Sequence, residues 1–307
     1  LLSWGSYYGF LSVKRSFFMT PKISIITRTR NRPSLLIRAR ESVLCQVDAP
    51  EWEWIIVNDA GDPQSVKDVI APAQQRYPEC IHVIHLQKSK GMEHASNQGM
   101  RLARGEFAVI HDDDDSWLPT FLAKMTAYME APQNTTAAGV VCQSWLIHET
   151  ILPNSIEESS CEPFNPWMEQ IDLWRLIQEN TFPPISFLFR RAIWERLGGF
   201  DESLPVLGDW EFNVRIALQQ TIAFLPERLA RYHHRLQTTD PSQANSVTAG
   251  DQLHRKWEQI LRQRWTQSPP LQGFPLFGEL SRIACAHLAI SRSLQKLKSL
   301  PLRPGAQ

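Results

Sequence analysis

Residues 107–119 read FAVIHDDDDSWLP. A short apolar run, typical of a buried strand, leads directly into four consecutive aspartates, Asp112 to Asp115, and a large aromatic residue follows at Trp117. Most acidic runs are solvated turns. Four carboxylates at the end of a buried strand, however, repel one another unless a cation neutralises them. The stretch therefore predicts a buried strand that ends at a metal site.

The segments upstream of this stretch alternate between strand and helix patterns. Short apolar strands are predicted at 23–27, 54–58 and 81–86, and segments with helical spacing of apolar residues separate them. This alternation predicts a parallel sheet with helices on both faces, whose ligands bind at the carboxyl ends of the strands. We therefore expect one nucleotide-sized site, formed by the polar residues at these ends: Thr27, Arg28, Thr29, Asn58, Asp59 and Asp112 to Asp115.

The pattern changes after Leu118. Residues 147–167 contain three prolines and several acids, which predicts an irregular acidic loop. Asp209 stands where a helix should begin, and we expect it to cap that helix. A basic amphipathic segment at 279–297 predicts a final helix, which packs on the protein body or lies on an anionic membrane. The other elements predicted here are helices at 120–129, at 171–177, from Ala192 and at 251–265, strands at 138–146 and 221–225, and a rigid turn that leads into a strand within 182–190.

Composition narrows the class of protein. The chain has 307 residues, of which 43% are apolar and 21% charged, as in ordinary globular proteins. Its 32 basic and 32 acidic residues leave no net charge, so no overall field attracts nucleic acid. Five scattered cysteines without a C-x-x-C pair favour reduced thiols in a cytosolic compartment over a zinc site. The absence of a run of about 18 apolar residues argues against a membrane span.

Two sequence features set further limits. The first predicted strand is not followed by G-x-G-x-x-G, and the chain has no G-x-x-x-x-G-K-[ST] motif, so neither a Rossmann dinucleotide site nor a P-loop is supported. Met19 immediately precedes that strand. Residues 1–20 are therefore expected to be an N-terminal extension outside the folded domain.

A set of segments, taken in their order and spacing, resembles the glycosyltransferase family 2 enzymes. The segments are ISIITRTRNRP at 23–33, WIIVNDAG at 54–61, GMEHASNQG at 91–99, the aspartates at 112–115, and GGFDE at 198–202 with DWEFNVR at 209–215. The resemblance implies the GT-A fold, an α/β architecture with a mostly parallel, Rossmann-like sheet flanked by helices. The implied regions are a nucleotide-binding half (21–119), an acceptor-binding half (120–240) and a helical C-terminal appendage (241–307).

The resemblance also implies an activity. It is the inverting transfer of a sugar from a UDP-, dTDP- or GDP-sugar to a hydroxyl of a glycan, lipid-linked or other acceptor, in surface polysaccharide or glycoconjugate synthesis. Such an enzyme is expected in the cytoplasm, or peripherally at the inner face of the membrane through the C-terminal helix. A nucleoside diphosphate leaving group carries about two negative charges, for which Mn²⁺ or Mg²⁺ is the expected cofactor.

Individual roles are carried over from the matching motifs. Asp209 is implied as the general base that deprotonates the acceptor hydroxyl, with Glu211 as a competing candidate. The implied metal ligands are Asp114, Asp112 and His234, with Asp115 supporting the cluster; His233 and His234 are alternatively ordinary core or surface histidines. Arg30 and Arg32 are further candidates for clamping the diphosphate. The implied nucleotide-binding residues are Thr27, Arg28, Thr29, Asn31, Asn58, Asp59, Gly91, Asn97, Asp112 and Asp113.

The chain departs from the family pattern at several positions. Asn58 replaces the first of two paired acids, and Gly208 stands where the family commonly has a glutamate before the catalytic aspartate. The segment at 261–265 lacks the glutamine of the Q-x-x-R-W motif, which argues against a polymer-extruding synthase. Two alternatives stay open: a catalytically inactive carbohydrate- or nucleotide-binding protein on the same fold, and a sugar nucleotidyltransferase, although the Gly-rich loop of the latter is missing.

Overall fold

The first half of the chain forms the parallel part of a single sheet. In the computed structural model, which describes residues 20–152, 155–235, 245, 251–267 and 277–298, four strands pair in the order β3-β2-β1-β4, all in parallel. These strands are β1 (Ile23–Thr29), β2 (Trp52–Asn58), β3 (Ile81–His85) and β4 (Phe107–Ile110). All four predicted strands are confirmed, although β1 runs two residues beyond its predicted end.

Helices cover both faces of this sheet. They are α1 (Pro33–Leu44), α2 (Pro63–Arg76) and α3 (Met92–Leu102). Successive strand residues point to opposite faces, so Ile26 packs in the core beside α3, whereas Ile25 packs in the core beside α1 and α2. Proline occupies the first turn of both α1 and α2, where its missing N–H is not needed. This layering fixes where the strand ends emerge.

The second half of the chain extends the sheet as a mixed structure. The full order is β3-β2-β1-β4-β8-β6-β9-β5, and β7 pairs with β6. Strand β8 is antiparallel to both β4 and β6, while β6 and β9 are parallel. The elements are β5 (Ser116–Trp117), α4 (Phe121–Glu130), β6 (Gly139–Ile151), β7 (Ile156–Phe164), α5 (Leu173–Gln178), β8 (Phe187–Arg190), α6 (Arg191–Leu197), α7 (Gly208–Ala217) and β9 (Ile222–His234), with short 3-10 helices at Pro132–Asn134 and Pro184–Ser186. The predicted α/β architecture is confirmed.

Three sequence-based predictions for this half are wrong. The supposed loop at 147–167 contains the end of β6 and the whole of β7, an edge strand that is almost fully exposed and therefore lacks the apolar alternation of a buried strand. The strand predicted at 221–225 continues as β9 to His234, through bulges in its pairing with β6. Asp209 lies inside α7, whose cap is Leu207 in a left-handed conformation (φ 66°).

The C-terminal helices α8 (Asp251–Thr266) and α9 (Phe277–Lys298) pack on the body of the protein. Leu261 and Trp265 of α8 and Phe277 and Ala284 of α9 are buried in the same core as Trp210 of α7. Packing on the body was one of the two arrangements expected for the last helix; contact with a membrane stays a prediction. Among the described residues, no helix is long and apolar enough to cross a membrane.

The remaining expectations concern the chain ends and the thiols. Residues 1–19, most of the predicted N-terminal extension, lie outside the described residues, and so does much of the junction near residue 240. The predicted domain boundaries therefore stay predictions. All five cysteines are free, which agrees with the expected reduced thiols.

Candidate active site

The polar ends of β1, β2 and β4 open into one cavity of about 1090 Å³. Strand β4 delivers the aspartate run to this edge because its apolar residues are fully enclosed in the sheet. Helix α7 supplies Asp209 and the end of β9 supplies His234. Eleven of the predicted site residues line the cavity: Arg28, Thr29, Arg30, Arg32, Asp59, Gly91, Asp112, Asp114, Asp115, Asp209 and His234.

Arg28 at the end of β1 holds Asp112 in a two-point ion pair. Its Nε donates to Oδ1 of Asp112 over 2.6 Å and its Nη2 donates to Oδ2 over 3.2 Å, while Nη1 donates to Oγ of Ser96 over 3.0 Å. Paired bonds of this kind fix both orientation and distance. The first aspartate of the run is therefore held firmly against the neighbouring strand.

Asp114 is neutralised by guanidinium groups. Its Oδ2 accepts from Arg235, from Nη1 of Arg32 over 3.3 Å and from Nδ2 of Asn245 over 3.3 Å. Burial alone would raise the pKa of Asp114, but Arg32 and Arg235 outweigh it and hold the pKa well below its usual range. Asp113 also pairs with Arg32; there burial is the larger effect and raises the pKa of Asp113 to about 6.

A second buried acid, Glu149 of β6, joins this network from the other half of the domain. It accepts two bonds from Arg38, at 3.0 and 2.7 Å, and one each from Arg235 (2.7 Å) and Nδ1 of His233 (2.9 Å). Burial raises the pKa of Glu149, but His233 and Arg38 outweigh this and hold it at about 2. The backbone N–H of His233 also donates to Asp115 over 2.9 Å.

The cations that neutralise the acidic run in this structure are therefore arginines. Within the described ranges, no group of three or more His, Cys, Asp or Glu side chains is arranged to hold a metal ion. The cavity nevertheless contains suitable donor atoms. Nε2 of His234 is buried and has no hydrogen-bond partner among these residues, and burial lowers the pKa of His234 to about 4, which leaves a neutral imidazole. This nitrogen and the oxygens of Asp112 and Asp114 are atom types that bind divalent cations, although arginines engage both carboxylates here.

Asp209 presents a single carboxylate from α7. Its Oδ2 accepts a hydrogen bond of 2.7 Å from Nδ2 of Asn180. Burial raises the pKa of Asp209 above its ordinary value, and the bond from Asn180 acts in the opposite direction. The competing candidate Glu211 is bound to Arg215 at 2.6 and 2.7 Å and does not line the cavity. Of the two candidates, Asp209 therefore lines the cavity, whereas Glu211 is held by Arg215 outside it.

Seven predicted residues do not line the cavity, because protein groups occupy their side chains. Asn97 is the clearest case: Nδ2 donates to the Phe200 carbonyl and to Glu202, and Oδ1 accepts from Phe200 and Trp194, which uses its whole bonding capacity. It joins α3 to the segment after α6 in place of the predicted nucleotide contact. The others are Thr27 (bound by Trp54), Asn31 (Asp62), Asn58 (Gly61 and His85), Asp113 (Arg32), His233 (Glu149 and Ser116) and Glu211.

Sequence reasoning missed several residues that do line the cavity. Glu93 and Asn180 lie within helical or loop patterns that give no sign of their position. Leu253, His254 and Trp257 come from α8, so the C-terminal region is part of the site and not only an appendage. Lys90 is an exposed cation that also lines the cavity; like the predicted Arg30, it forms no ion pair with another described residue.

Comparison with known sequences identifies one family and several related proteins. Residues 24–198, more than half of the chain, match the family described as Glycosyl transferase family 2. The glycosyltransferase YwdF of Bacillus subtilis (strain 168), named as uncharacterized, is 29% identical over 211 residues, which are 67% of this chain and 71% of YwdF. WcaA of Escherichia coli (strain K12), whose name provisionally assigns it to colanic acid biosynthesis, is 30% identical over 203 residues, 65% of this chain and 67% of WcaA.

Solved structures share the fold. TarS 1-349 of S. aureus in complex with UDP-GlcNAc superposes with a TM-score of 0.61 at 18% identity, covering 87% of this chain and 71% of that one. The mannosyltransferase PcManGT of Pyrobaculum calidifontis, in complex with GDP-Man and Mn²⁺, superposes with a TM-score of 0.59 at 18% identity and covers 92% and 78%. The chain spans 43% of another TarS crystal structure.

Proposed function

The chain belongs to glycosyl transferase family 2 and has the GT-A fold, and from this premise we propose that it transfers a sugar, with inversion, from a nucleotide-sugar donor to an acceptor hydroxyl. The observation that carries the proposal is one cavity that contains both the Arg28–Asp112 pair at the strand ends and the separate carboxylate of Asp209. The first fits a donor nucleotide and the second fits a base for the acceptor.

The nucleotide is assigned to the strand ends. Asp59 follows β2; its Oδ2 accepts from Ser89 over 2.6 Å, while Oδ1 is buried without a partner among the described residues. A buried carboxylate oxygen of this kind is suited to a ligand donor such as a base N–H or a ribose hydroxyl. Gly91, in a conformation open only to glycine (φ 99°), lets the backbone approach the ligand where α3 begins. Arg30 and Lys90 are placed to bind the diphosphate.

The transfer step is assigned to Asp209. Inversion requires the acceptor hydroxyl to attack from the face opposite the leaving diphosphate, and its proton must pass to a base on that side. Asp209 is half-buried, and desolvation raises its pKa, so its carboxylate is a better proton acceptor than an exposed aspartate. Asn180 orients the carboxylate through the bond to Oδ2.

A divalent cation, Mn²⁺ or Mg²⁺, is proposed as the cofactor. The residues that would hold it are Asp112, Asp114 and His234, whose donor atoms fit such an ion. Bound there, the ion would offset the negative charge that develops on the departing diphosphate. The structure of PcManGT with GDP-Man and Mn²⁺ supports this proposal by analogy of fold. Arg32 and Arg235 keep Asp114 ionised, as a metal ligand must be.

The acceptor is proposed to be a carbohydrate on a growing surface polysaccharide or glycoconjugate. The name of WcaA refers to colanic acid biosynthesis, and that of the B. subtilis relative TuaG refers, also provisionally, to teichuronic acid biosynthesis. Trp257 and Leu253 of α8 give the cavity an apolar wall, and indole rings are suitable platforms for sugar rings. Helix α8 therefore provides a surface for the acceptor near Asp209.

The test is a screen of UDP-, dTDP- and GDP-sugars with the purified chain, with and without Mn²⁺. Thermal shift measures binding, and release of nucleoside diphosphate measures transfer or slow hydrolysis. We expect one nucleotide class to raise the midpoint of unfolding and to yield the diphosphate. If a nucleotide sugar binds but no nucleoside diphosphate is released, with either an acceptor or water, the result would support the inactive binding protein. If there is neither binding nor release, the proposal is overturned.

A further inference from the structure

Glu93, the second residue of α3, brings an additional carboxyl group to the cavity wall. Glu93 is only 3% exposed, and within the described part of the chain its carboxyl group accepts no hydrogen bond. Its partner in an ion pair is Arg28, with Nη1 lying 3.6 Å from Oε2. A buried carboxyl group without hydrogen bonds is unfavourable in the protein alone, so its oxygens are available to a ligand.

The electrostatic surroundings suit a neutral hydroxyl ligand. Burial raises the pKa of Glu93 to about 7; Arg28 acts to lower it, whereas Asp209, Asp112 and Glu211 act to raise it further. Near neutral pH the group can therefore accept a hydrogen bond as a carboxylate or donate one as an acid. A sugar hydroxyl can do both in return. A ligand that carries a carboxylate at this point would instead be repelled.

Gly208 provides the space in which the Glu93 carboxyl group lies. A Cβ atom built on Gly208 would lie 2.3 Å from Cδ of Glu93, 2.5 Å from Cγ and 2.6 Å from Oε1. Residue 208 and the end of the Glu93 side chain thus compete for one volume, directly beside Asp209.

The position of Glu93 relative to the reaction follows from its neighbours. It shares a narrow recess of the cavity with Arg28, which holds Asp112, and with Asp209; phenylalanines, including Phe189 and Phe212, form much of the recess. In a transfer from a nucleotide sugar, the sugar lies between the diphosphate and the acceptor hydroxyl. Glu93 pairs with Arg28 on the phosphate side and lies against Gly208, next to Asp209, so it is placed to face the sugar itself.

We propose that Glu93 binds a hydroxyl group of the transferred sugar and that Gly208 is required because it leaves room for this carboxyl group. The inference rests on the proposed transfer from a nucleotide sugar. It assigns to the donor a sugar with a hydroxyl, and not a carboxylate, in the recess beside Asp209. It also predicts that the two positions can exchange roles, because a glutamate on α7 would fill the volume that a shortened residue 93 vacates.

The experiment compares affinity for the nucleotide sugar with affinity for the corresponding nucleoside diphosphate. We expect Glu93→Ala to weaken nucleotide-sugar binding about 10- to 100-fold, the loss of one hydrogen bond to a charged group, and to leave diphosphate binding within about twofold. Glu93→Gln should retain part of the affinity, because the amide still offers an oxygen acceptor. Glu195→Gln, an exposed pair-forming residue of α6, is the matched control.

The exchange variant tests the shared volume. Gly208→Glu alone should lose sugar binding because the new side chain collides with Glu93, and Glu93→Ala/Gly208→Glu should bind the nucleotide sugar at least about tenfold more tightly than either single variant. A double variant that is folded by thermal unfolding but no better than the single ones overturns the inference. The inference is also overturned if Glu93→Ala weakens diphosphate binding as much as nucleotide-sugar binding, because Glu93 would then act through Arg28. Wild-type protein that neither binds nor turns over a nucleotide sugar would instead overturn the proposed function.

Discussion

Nδ2 of Asn180 donates a hydrogen bond of 2.7 Å to Oδ2 of Asp209. Asn180 lies just after α5, and Asp209 lies in the first turn of α7. The bond joins two segments that both line the cavity and fixes one oxygen of the carboxylate. Asp209 is consequently held as an oriented, half-buried group on the cavity wall, which is what a general base for an acceptor hydroxyl requires.

Replacing this carboxylate should separate chemistry from binding. We expect Asp209→Asn to lower kcat by about 10²- to 10⁴-fold, the usual contribution of a positioned general base, because the amide cannot accept the acceptor proton. Binding of the donor nucleotide should be retained, since the base is assigned to the acceptor side. Steady-state kinetics and calorimetric nucleotide binding measure the two effects. Unchanged turnover would contradict the assignment, and an equal loss in Glu211→Gln would favour the competing base.

The pH dependence of the rate should report the environment of Asp209. Burial raises the pKa of this carboxyl group, and the base works only when ionised, so kcat/KM should fall as pH decreases through the raised pKa. Asn180→Ala removes a hydrogen bond that lowers this pKa, so the acidic limb of the profile should move to higher pH. Asn134→Ala, whose amide binds the carbonyl of Tyr128 far from the cavity, is the control. A limb that moves to lower pH would contradict this account.

The sequence predicts the first half of the fold well because its signals are local. The apolar runs of β1, β2 and β4 and the polar residues that end them are adjacent in the chain, so the cavity edge can be predicted from pattern alone. The neutralisation of the acidic run by arginines cannot be predicted in this way. Arg38 and Glu149 are 111 residues apart, and Arg235 and Glu149 are 86 apart, so only the folded chain shows that they meet.

The exposed strand β7 and the position of Glu93 in the cavity wall are equally hard to predict from the sequence. Strand β7 is held by backbone pairing with β6 and buries little, so its sequence resembles an acidic loop. The carboxyl group of Glu93 occupies volume that a side chain at position 208 would need, a relation between two helices that neither segment shows by itself. Long-range steric fit of this kind leaves no pattern in a single sequence.

The metal proposal predicts a conditional effect. Asp114→Ala should weaken binding of the nucleoside diphosphate at least about tenfold when Mn²⁺ or Mg²⁺ is present, because an ion ligand is lost. In the presence of a chelator the variant and the wild type should bind equally. Isothermal calorimetry in both conditions measures this, and thermal unfolding checks that the variant is folded. Equal weakening without metal would show that Asp114 acts through Arg32 and Arg235 only.

Arg30 and Lys90 should contribute to nucleotide binding through charge. Both are exposed cations on the cavity wall, and no other described residue pairs with either. We expect Arg30→Ala and Lys90→Ala each to weaken diphosphate binding by about 5- to 30-fold, with a smaller loss at high salt because exposed charges are screened. Lys67→Ala, an exposed lysine of α2 outside the cavity, is the matched control. Affinities that are equal for all three variants would contradict the assignment.

Glu149 should be important for stability because it is the common acceptor of two arginines and of His233. Its side chain is fully buried and binds Arg38, Arg235 and His233. Glu149→Ala would leave these groups without their acceptor, and removing one partner of a buried pair costs about 3–5 kcal/mol. Because the pKa of Glu149 is held at about 2, below its ordinary 4.5, the stabilisation is present above pH 4.5 and is lost as pH falls towards 2. Urea unfolding should therefore show the wild type and the variant converging over this range. Glu158→Ala on the exposed strand β7 is the control, and a loss in Glu149→Ala of less than about 1 kcal/mol, as for a surface pair, would contradict the role of this network.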